Sequence, residues 1–265
     1  MLKKLLSAVL ILNILSSCSL TVKKAYYAPV QLEESKFCYI NCPIGYPSTN
    51  LNVDHDIFIL SYNIRTKYAD WVAYKIESYN VLGFSKQRVW RADPKLPEDI
   101  ALIPSDYKDA SITCNYDRGH QAPLADFSNN INWERTNYLS NITPQKSELN
   151  NGPWNRLEAK VRQLVKTFKD IYVLTGPYYT NRAMCKLPKA RIPNKVPNGY
   201  WKIITVVEEQ QVYTASFVFD QETPKSADYC NYTKSIGDIE GLTNLKFNKP
   251  NSNNSSYLFE KLGCN

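Results

Sequence analysis

The chain has 265 residues, of which 43% are hydrophobic and 12% aromatic, and 32 Lys and Arg outnumber 25 Asp and Glu to give a formal charge of +7. This composition excludes an intrinsically disordered chain and allows one large domain with a sizeable core. The positive charge is mild support for a polyanionic partner, although many basic proteins bind no nucleic acid.

The N-terminus carries Lys3 and Lys4 and then an apolar run that is too short to span a bilayer. This pattern is typical of an export signal. The run ends in Leu15-Ser16-Ser17-Cys18, which resembles the lipobox of bacterial lipoproteins. We therefore predict a signal peptide over 1–17 and a chain held in the cell envelope by lipid on Cys18, on the outer membrane or facing the periplasm. Ordinary signal cleavage nearby is the alternative.

Six further cysteines follow: Cys38, Cys42, Cys114, Cys185, Cys230 and Cys264. An even number of cysteines in an exported protein favours disulfides, because the compartment is oxidising. The cysteines form no pair of CxxC motifs, and the chain has only two histidines. A zinc site rich in Cys and His is therefore not expected.

The remaining chain reads as a short tether followed by one domain. Residues 18–37 lack a clear hydrophobic period, and residues 77–116 contain scattered Pro and Asp that predict loops with short elements. Runs of β-branched and aromatic residues predict strands over 57–62, 71–76, 171–175, 202–207 and 212–219. No repeat or break in composition divides residues 38–265, so we predict a single α+β domain there.

The strongest helical pattern covers residues 153–168. Apolar side chains repeat there at helical spacing, at Leu157, Val161, Leu164, Val165 and Phe168. Pro153 fits the first turn, and Asn150, Asn151 or Gly152 could cap it. Taken alone, Glu158 and Arg162 would form an ordinary surface ion pair one turn apart.

Only two histidines are available as general bases. His55 lies in the sequence VDHDI, and a surface or turn position would explain it fully. His120 follows Asp117, Arg118 and Gly119, and a histidine beside a basic residue could activate water next to a phosphate. Taken alone the tetrapeptide is a weak signal, since a loop with a salt bridge would account for it.

Several longer motifs add weight to His120: DRGHQAPLA at 117–125, NYLSNITPQKS at 137–147, LNNGPWNRLE at 149–158, and ADWVAYKI, RVWRADPKL, LTGP, YWK and FDQETPKSAD elsewhere. In this order and spacing they resemble the family of non-specific DNA/RNA endonucleases, over roughly residues 38–230. The resemblance implies a mixed, mainly antiparallel central sheet flanked by helices, with a ββα-metal active site. It also implies hydrolysis of DNA and RNA to products with 5′-phosphates.

The resemblance assigns roles to the acid–base and metal groups. His120 would be the general base, and Asn150 would be the single direct protein ligand of Mg²⁺, for which Mn²⁺ could substitute. Mg²⁺ prefers oxygen ligands and keeps much of its hydration, so one amide oxygen can suffice. Glu158 would hold the metal's water shell, with Arg162 one turn later on the same side.

The resemblance also assigns the groups around the phosphate. Arg88 and Arg118 would bind the scissile phosphate and its developing charge. Asn141 would orient groups around the metal site. Contacts of this kind carry no direct base information, so a lack of sequence specificity follows. The many Tyr and Trp residues are expected in the core, and none is assigned to base stacking.

DNA and RNA are thus the expected partners, a homodimer is possible as in some relatives, and no protein partner is evident. One alternative is an envelope lipoprotein that captures nucleic acid with impaired catalysis. Another is a nuclease of the same fold narrowed to single-stranded DNA or to RNA.

The resemblance also places Cys38 with Cys42 and Cys230 with Cys264. Cys114 and Cys185 have no counterpart in the family pattern. Since lipidation of Cys18 leaves these two over, parity predicts that they pair, with two buried free thiols as the alternative.

Overall fold

The computed structural model describes residues 35–39, 41–248 and 255–264. The predicted signal peptide, the lipobox at Cys18 and most of the tether lie outside these residues. Phe37, on the tether side of the predicted boundary at residue 38, is only 5% exposed and packs into the core. None of the helices in the described ranges is both long and apolar enough to cross a membrane.

In the part of the chain that the structure describes, eight strands form two sheets. In chain order they are Leu51–Asp54 (β1), Phe58–Asn63 (β2), Tyr68–Ile76 (β3), Tyr116–His120 (β4), Ile142–Lys146 (β5), Asp170–Tyr178 (β6), Gly199–Glu208 (β7) and Gln211–Asp220 (β8). The main sheet has the order β1-β2-β3-β6-β7-β8 with antiparallel neighbours throughout, and β4 pairs with β5 in a small antiparallel sheet.

Short helices surround the sheets. The α-helices are Ala110–Cys114 (α1), Ser147–Leu149 (α2), Asn155–Gln163 (α3), Ile236–Thr243 (α4) and Ser255–Lys261 (α5), and a π-turn at Asn150–Trp154 joins α2 to α3. Single 3-10 turns lie at Ser78–Val81, Pro104–Tyr107, Leu124–Phe127, Trp133–Asn137, Leu139–Asn141, Leu164–Lys166 and Tyr229–Tyr232. The predicted α+β class is confirmed, as are the loops and short elements over 77–116.

The five predicted strands are present and run a few residues longer than predicted at most ends. The sequence did not predict β1, β4 or β5. Strand β1 has only four residues, β4 is the polar sequence YDRGH, and β5 contains Pro144. Each of these features weakens the alternating apolar pattern by which strands are recognised.

The main sheet is covered on both faces. Alternate side chains of a strand point to opposite faces, so β3 sends Tyr74 to one core and Trp71 to the other. The first core includes Leu157 and Val161 of α3, and the second includes Phe37. Helix α3 is therefore held against the first face, and the N-terminal described residues pack on the opposite face.

The predicted helix over 153–168 is α-helical only over Asn155–Gln163, with a π-turn at Asn150–Trp154 before it and a 3-10 turn at Leu164–Lys166 after it. Within the π-turn the backbone bends at Gly152. This residue has φ −112° and ψ −122°, and α3 begins only at Asn155. A Cβ on Gly152 would lie 2.8 Å from the Cα of Lys225, so only glycine fits there. As a result Asn150 stands a full turn before α3, which corrects the expectation that it could cap this helix.

Three disulfides cross-link the domain, at Cys38–Cys42, Cys114–Cys185 and Cys230–Cys264, with Cα–Cα distances of 5.1, 5.8 and 5.2 Å. The pairing of Cys114 with Cys185, which was predicted from the even number of remaining cysteines, is thus confirmed. Because Cys114 ends α1 two residues before β4, this bridge ties the start of the small sheet to residue 185.

The 114–185 bridge should contribute more stability than the 38–42 bridge. It spans 71 residues rather than 4, and the chain-entropy relation gives about 4 kcal/mol against about 2 kcal/mol. Paired Cys→Ser variants of each bridge, unfolded in guanidinium chloride, measure both losses. Equal losses in the two double variants would contradict the expectation.

Candidate active site

A cleft of about 720 Å³ opens on the side of the main sheet that carries α3. Its walls are the segment 81–90, strand β4 and the helical residues 150–162. Six of the seven residues predicted for the site line it: Arg88, Arg118, His120, Asn150, Glu158 and Arg162. Strands β4 and β5 followed by α3 form a ββα unit that carries five of them, and Arg88 stands on the segment 81–90.

His120 is the last residue of β4, where it pairs with Ile142. Its Nε2 lies 3.1 Å from Oδ1 of Asn137. An amide oxygen only accepts hydrogen bonds, so Nε2 carries the hydrogen of the neutral ring and Nδ1 keeps its lone pair. The ring also packs against Trp90, with 5.2 Å between ring centroids. His120 is therefore fixed in orientation with one nitrogen able to take a proton.

The pKa of His120 is lowered to about 4. Burial disfavours the imidazolium, Asn137 partly offsets this, and the positive charge of Arg88 lowers the pKa further. The ring is thus neutral throughout the neutral pH range. A neutral imidazole is the form that acts as a general base.

Asp117 organises the start of the helical segment. Its Oδ1 accepts from Ser147 Oγ at 2.8 Å, and its Oδ2 accepts from Nδ2 of Asn150 at 2.9 Å and of Asn151 at 2.6 Å. Because the amino group of Asn150 is turned to Asp117, its Oδ1 is the atom left to accept or to bind a cation. The carboxylate thereby selects the orientation that a metal ligand needs.

Glu158 and Arg162 do not form the surface ion pair that their spacing would suggest. Arg162 donates to Oδ1 of buried Asp126 at 2.9 Å. Glu158 Oε1 lies 3.9 Å from Nζ of Lys202, whose side chain is 1% exposed and packs over the ring of Trp154. Glu158 and Arg162 thus join Asp126 and Lys202 in a cluster of four charged groups at the border of the cleft.

Burial raises the pKa of Glu158 above its usual range, while the positive charges of Lys202 and Arg162 lower it and Asp126 raises it further. Burial likewise lowers the pKa of Lys202, against the attraction of Glu158 and Asp126. Both directions express the cost of removing charge from water. Glu158 will accept a proton more readily than an exposed carboxylate.

The guanidinium group of Arg118 packs against two aromatic rings. Its central carbon lies 5.6 Å from the ring centroid of Trp90 and 5.3 Å from that of Tyr107. Burial lowers its pKa below the ordinary value of an arginine. Arg88 is exposed in the facing wall and close enough to affect the pKa of His120. The two guanidinium groups therefore make the cleft beside His120 suitable for an anion.

The donor set fits a hydrated hard cation. Among the described residues there is no group of three or more His, Cys, Asp or Glu that could hold a metal. What the cleft offers is the amide oxygen of Asn150 and the carboxylate of Glu158, both of which line it. Mg²⁺ keeps several waters and needs few protein ligands, so these oxygens suit it better than they suit zinc or calcium.

Two expectations need correction in detail. Asn141 does not reach the cleft, because its amide is used in hydrogen bonds to the backbone of Ala122 and Thr136. It thus supports the turn before Asn137 rather than surrounding a metal. His55 is not at the surface but fully buried, with Nε2 2.8 Å from Asp93 Oδ2, so its role is structural.

Sequence reasoning missed four residues that shape the site: Asn137, Asp117, Asp126 and Lys202. Asp117 and Lys202 were visible within the motifs DRGH and YWK, but neither received a role. Lys202 looks like an ordinary strand residue until β7 is seen to pack on α3. Nothing in the sequence distinguishes Asn137 from its many neighbouring asparagines.

Comparison with known proteins gives a consistent result. Residues 39–254 match the sequence model of the family described as DNA/RNA non-specific endonuclease. The nuclease of Serratia marcescens is 42% identical over 217 residues, which cover 81% of this chain and 80% of that protein. A nuclease of Nostoc sp. is 29% identical over 221 residues, or 77% of each chain.

Human mitochondrial nuclease EXOG is 28% identical over 211 residues, 71% of this chain and 54% of that protein. A solved structure of an EndoG/EndoGI complex superposes with a TM-score of 0.63 at 23% identity, covering 77% of this chain and 87% of that one. The superposition shows a shared fold.

Lys202→Met should raise the pKa of Glu158 further, because it removes the positive charge that lowers this pKa the most. An NMR titration of ¹³C-labelled glutamate carboxyls measures the change. The control is Lys166→Met, which removes an exposed charge just after the same helix. A folded Lys202→Met variant with an unchanged titration of Glu158 would show that the two groups do not interact.

Proposed function

The chain belongs to the DNA/RNA non-specific endonuclease family, and on that premise we propose that it hydrolyses DNA and RNA with Mg²⁺ as cofactor and His120 as general base. The observation that carries this proposal is the neutral, oriented ring of His120 in a cationic cleft that also contains the free amide oxygen of Asn150. The fit of the site to Mn²⁺ rests on the same oxygens.

In the proposed reaction, Arg88 and Arg118 bind the phosphate that is to be attacked. Nδ1 of His120 takes a proton from a water molecule in line with the scissile bond, while Asn137 keeps Nε2–H in place. The resulting imidazolium forms in a buried position beside Arg88, so it returns its proton readily once the bond is broken. General-base catalysis of this kind contributes about 10²–10⁴-fold in rate.

Asn150 would hold the ion directly, and Glu158 would hold its water molecules. An ion held by these residues would supply neutralisation of charge on the phosphoryl oxygens and an acidic water for the leaving 3′ oxygen. Arg162, fixed by Asp126, adds positive charge on the same side. Cleavage on the 3′-oxygen side would give products with 5′-phosphates.

Every group in this scheme addresses the phosphate or the water, which accounts for cleavage without sequence preference. The alternative of a nucleic-acid-binding lipoprotein with impaired catalysis is less well supported. Its cleft would have no need of a neutral, oriented histidine or of a carboxylate with a raised pKa, and both are present.

We further propose that the chain is exported, with residues 1–17 as signal peptide, 18–37 as tether and lipid on Cys18. The three disulfides support an oxidising destination. A homodimer stays a prediction, which sedimentation velocity would decide.

His120→Ala should lose about 10²–10⁴-fold in cleavage rate while keeping its fold and its affinity for DNA. Digestion of plasmid DNA and of RNA with Mg²⁺, repeated with chelator, tests this variant beside the wild type. His55→Ala is a poor control because that residue is buried, so Glu134→Gln, at an exposed position outside the cleft, serves instead. Cleavage by His120→Ala within a few-fold of wild type would remove the base from the scheme.

Glu158→Gln should raise the Mg²⁺ concentration needed at alkaline pH, because the ion loses a charged acceptor for its waters. Because the pKa of Glu158 is raised, the wild-type carboxylate becomes protonated, and so neutral, at a higher pH than an ordinary glutamate. His120 does not change its charge over this range, since it stays neutral down to about pH 4. Wild type and variant should therefore converge as the pH falls. Metal titrations at several pH values measure this, with exposed Glu148→Gln as control.

Cys18→Ala should leave the protein soluble or unprocessed, whereas the wild type should partition into the detergent phase. Stable attachment would need more than one acyl chain, because a single chain anchors only marginally. Metabolic labelling with a fatty-acid analogue provides the measurement. A wild type that takes up no label would exclude lipidation and leave ordinary signal cleavage.

A further inference from the structure

One wall of the cleft is a stretch of chain without regular structure. From Phe84 to Trp90 the backbone contains no helix, turn or bend. Phe84, Ser85, Lys86, Arg88 and Trp90 border the cleft, whereas Gln87 and Val89 do not. The four larger side chains, Phe84, Lys86, Arg88 and Trp90, stand at alternate positions. Alternate side chains of an extended chain share one side and lie roughly 6.5 Å apart, so these four follow each other over about 20 Å.

The inner end of this row belongs to the catalytic centre. Trp90 packs on the ring of His120 at 5.2 Å and under the guanidinium of Arg118 at 5.6 Å. The ring of Trp90 is thereby occupied by two catalytic groups. Trp90 therefore marks the inner end of the row and does not itself present a binding surface for substrate.

The middle of the row is cationic. Nζ of Lys86 lies 5.5 Å from the ring centroid of Trp133, and Arg88 is exposed. Among the described residues, the ion pairs found include no carboxylate partner for either cation. Two unpaired cations spaced along an extended wall can bind successive phosphates of one strand.

The outer end is Phe84, whose side chain is 90% exposed. The segment that presents it is fastened at its base, where the amide of Gly83 donates to Ser128 Oγ at 3.1 Å. A Cβ on Gly83 would lie 2.1 Å from the backbone oxygen of Ser128, so only glycine fits at this position. An aromatic ring is thus held in solvent at the mouth of a cationic cleft.

We propose that the segment from Phe84 to Trp90 binds one strand of the substrate, with phosphates on Lys86 and Arg88 and an unpaired nucleobase stacked on Phe84. This inference rests on the proposed function and deepens it. Stacking requires the exposed face of a base, so the favoured substrate is single-stranded or locally unpaired nucleic acid. Every base has such a face, and the subsite therefore agrees with cleavage that ignores sequence.

An exposed phenylalanine could instead meet a second copy of the chain. Tyr79 and Leu82 are also exposed nearby, so an apolar contact is available. The cations that follow Phe84 argue against this reading, because a second copy would have to bury them unpaired. Continuity with the catalytic groups favours the nucleic acid.

The test compares Phe84→Ala and Phe84→Trp with Leu82→Ala. Leu82 is 72% exposed on the same segment but does not line the cleft, so its variant controls for lost apolar surface. The probe is a single-stranded DNA 12-mer carrying 2-aminopurine, whose fluorescence is quenched when it stacks. Binding is measured with chelator in a His120→Ala background, so that the probe is not cut.

Phe84→Ala should weaken binding roughly 5- to 100-fold and relieve the quenching, since base–aromatic stacking has that effect on alanine substitution. Phe84→Trp should bind like the parent, and so should Leu82→Ala. With His120 restored, Phe84→Ala should raise KM for the single strand much more than it changes kcat. The effect should be smaller on the matching duplex, whose bases are already stacked.

Equal affinities of Phe84→Ala and Leu82→Ala for the probe would overturn the inference. So would a loss of self-association in Phe84→Ala, seen by sedimentation velocity, with DNA binding unchanged. Cleavage of plasmid by the wild type separates this outcome from failure of the proposed function. A wild type that cuts plasmid while Phe84→Ala binds normally would leave the nuclease intact and remove only the stacking site.

Discussion

The hydrogen bonds accepted by Asp117 connect the two parts of the ββα unit. Its carboxylate lies on β4, three residues before His120, and takes up the side chains of Ser147, Asn150 and Asn151 at the start of the helical segment. Bonds to a charged acceptor are about twice as strong as neutral ones. One carboxylate therefore holds Asn150 near the strand that carries His120 and sets the direction in which the amide of Asn150 points.

The second constraint is electrostatic and comes from the main sheet. Lys202 on β7 and Asp126 between β4 and β5 place opposite charges next to Glu158 and Arg162 of α3. Buried charges cost free energy and persist when they are paired. Here the pairing is loose on the Glu158 side, where 3.9 Å separates the charged atoms. The carboxylate of Glu158 thus lies near the ammonium group of Lys202 without a short contact to it, and it also lines the cleft.

The helices and strands that follow from local patterns of apolar residues could be predicted from the sequence. The apolar repeat from Leu157 to Phe168 predicted the helix and its buried face, and β-branched runs predicted the five longest strands. The site was predicted through the family resemblance that the motif around His120 carries together with the longer motifs, since the tetrapeptide alone is a weak signal. What could not be predicted depends on partners distant in the chain. The burial of His55 follows from Asp93, and the tautomer of His120 follows from Asn137.

The bridge between Cys114 and Cys185 links the small sheet of β4 and β5 to the redox state of its surroundings. A stability contribution of about 4 kcal/mol corresponds to roughly a thousandfold change in the ratio of folded to unfolded molecules. In a reducing compartment the two thiols stay apart, and the free energy of unfolding is smaller by that amount. Oxidation would therefore raise the ratio of folded to unfolded molecules for the whole domain, including the strand that carries His120.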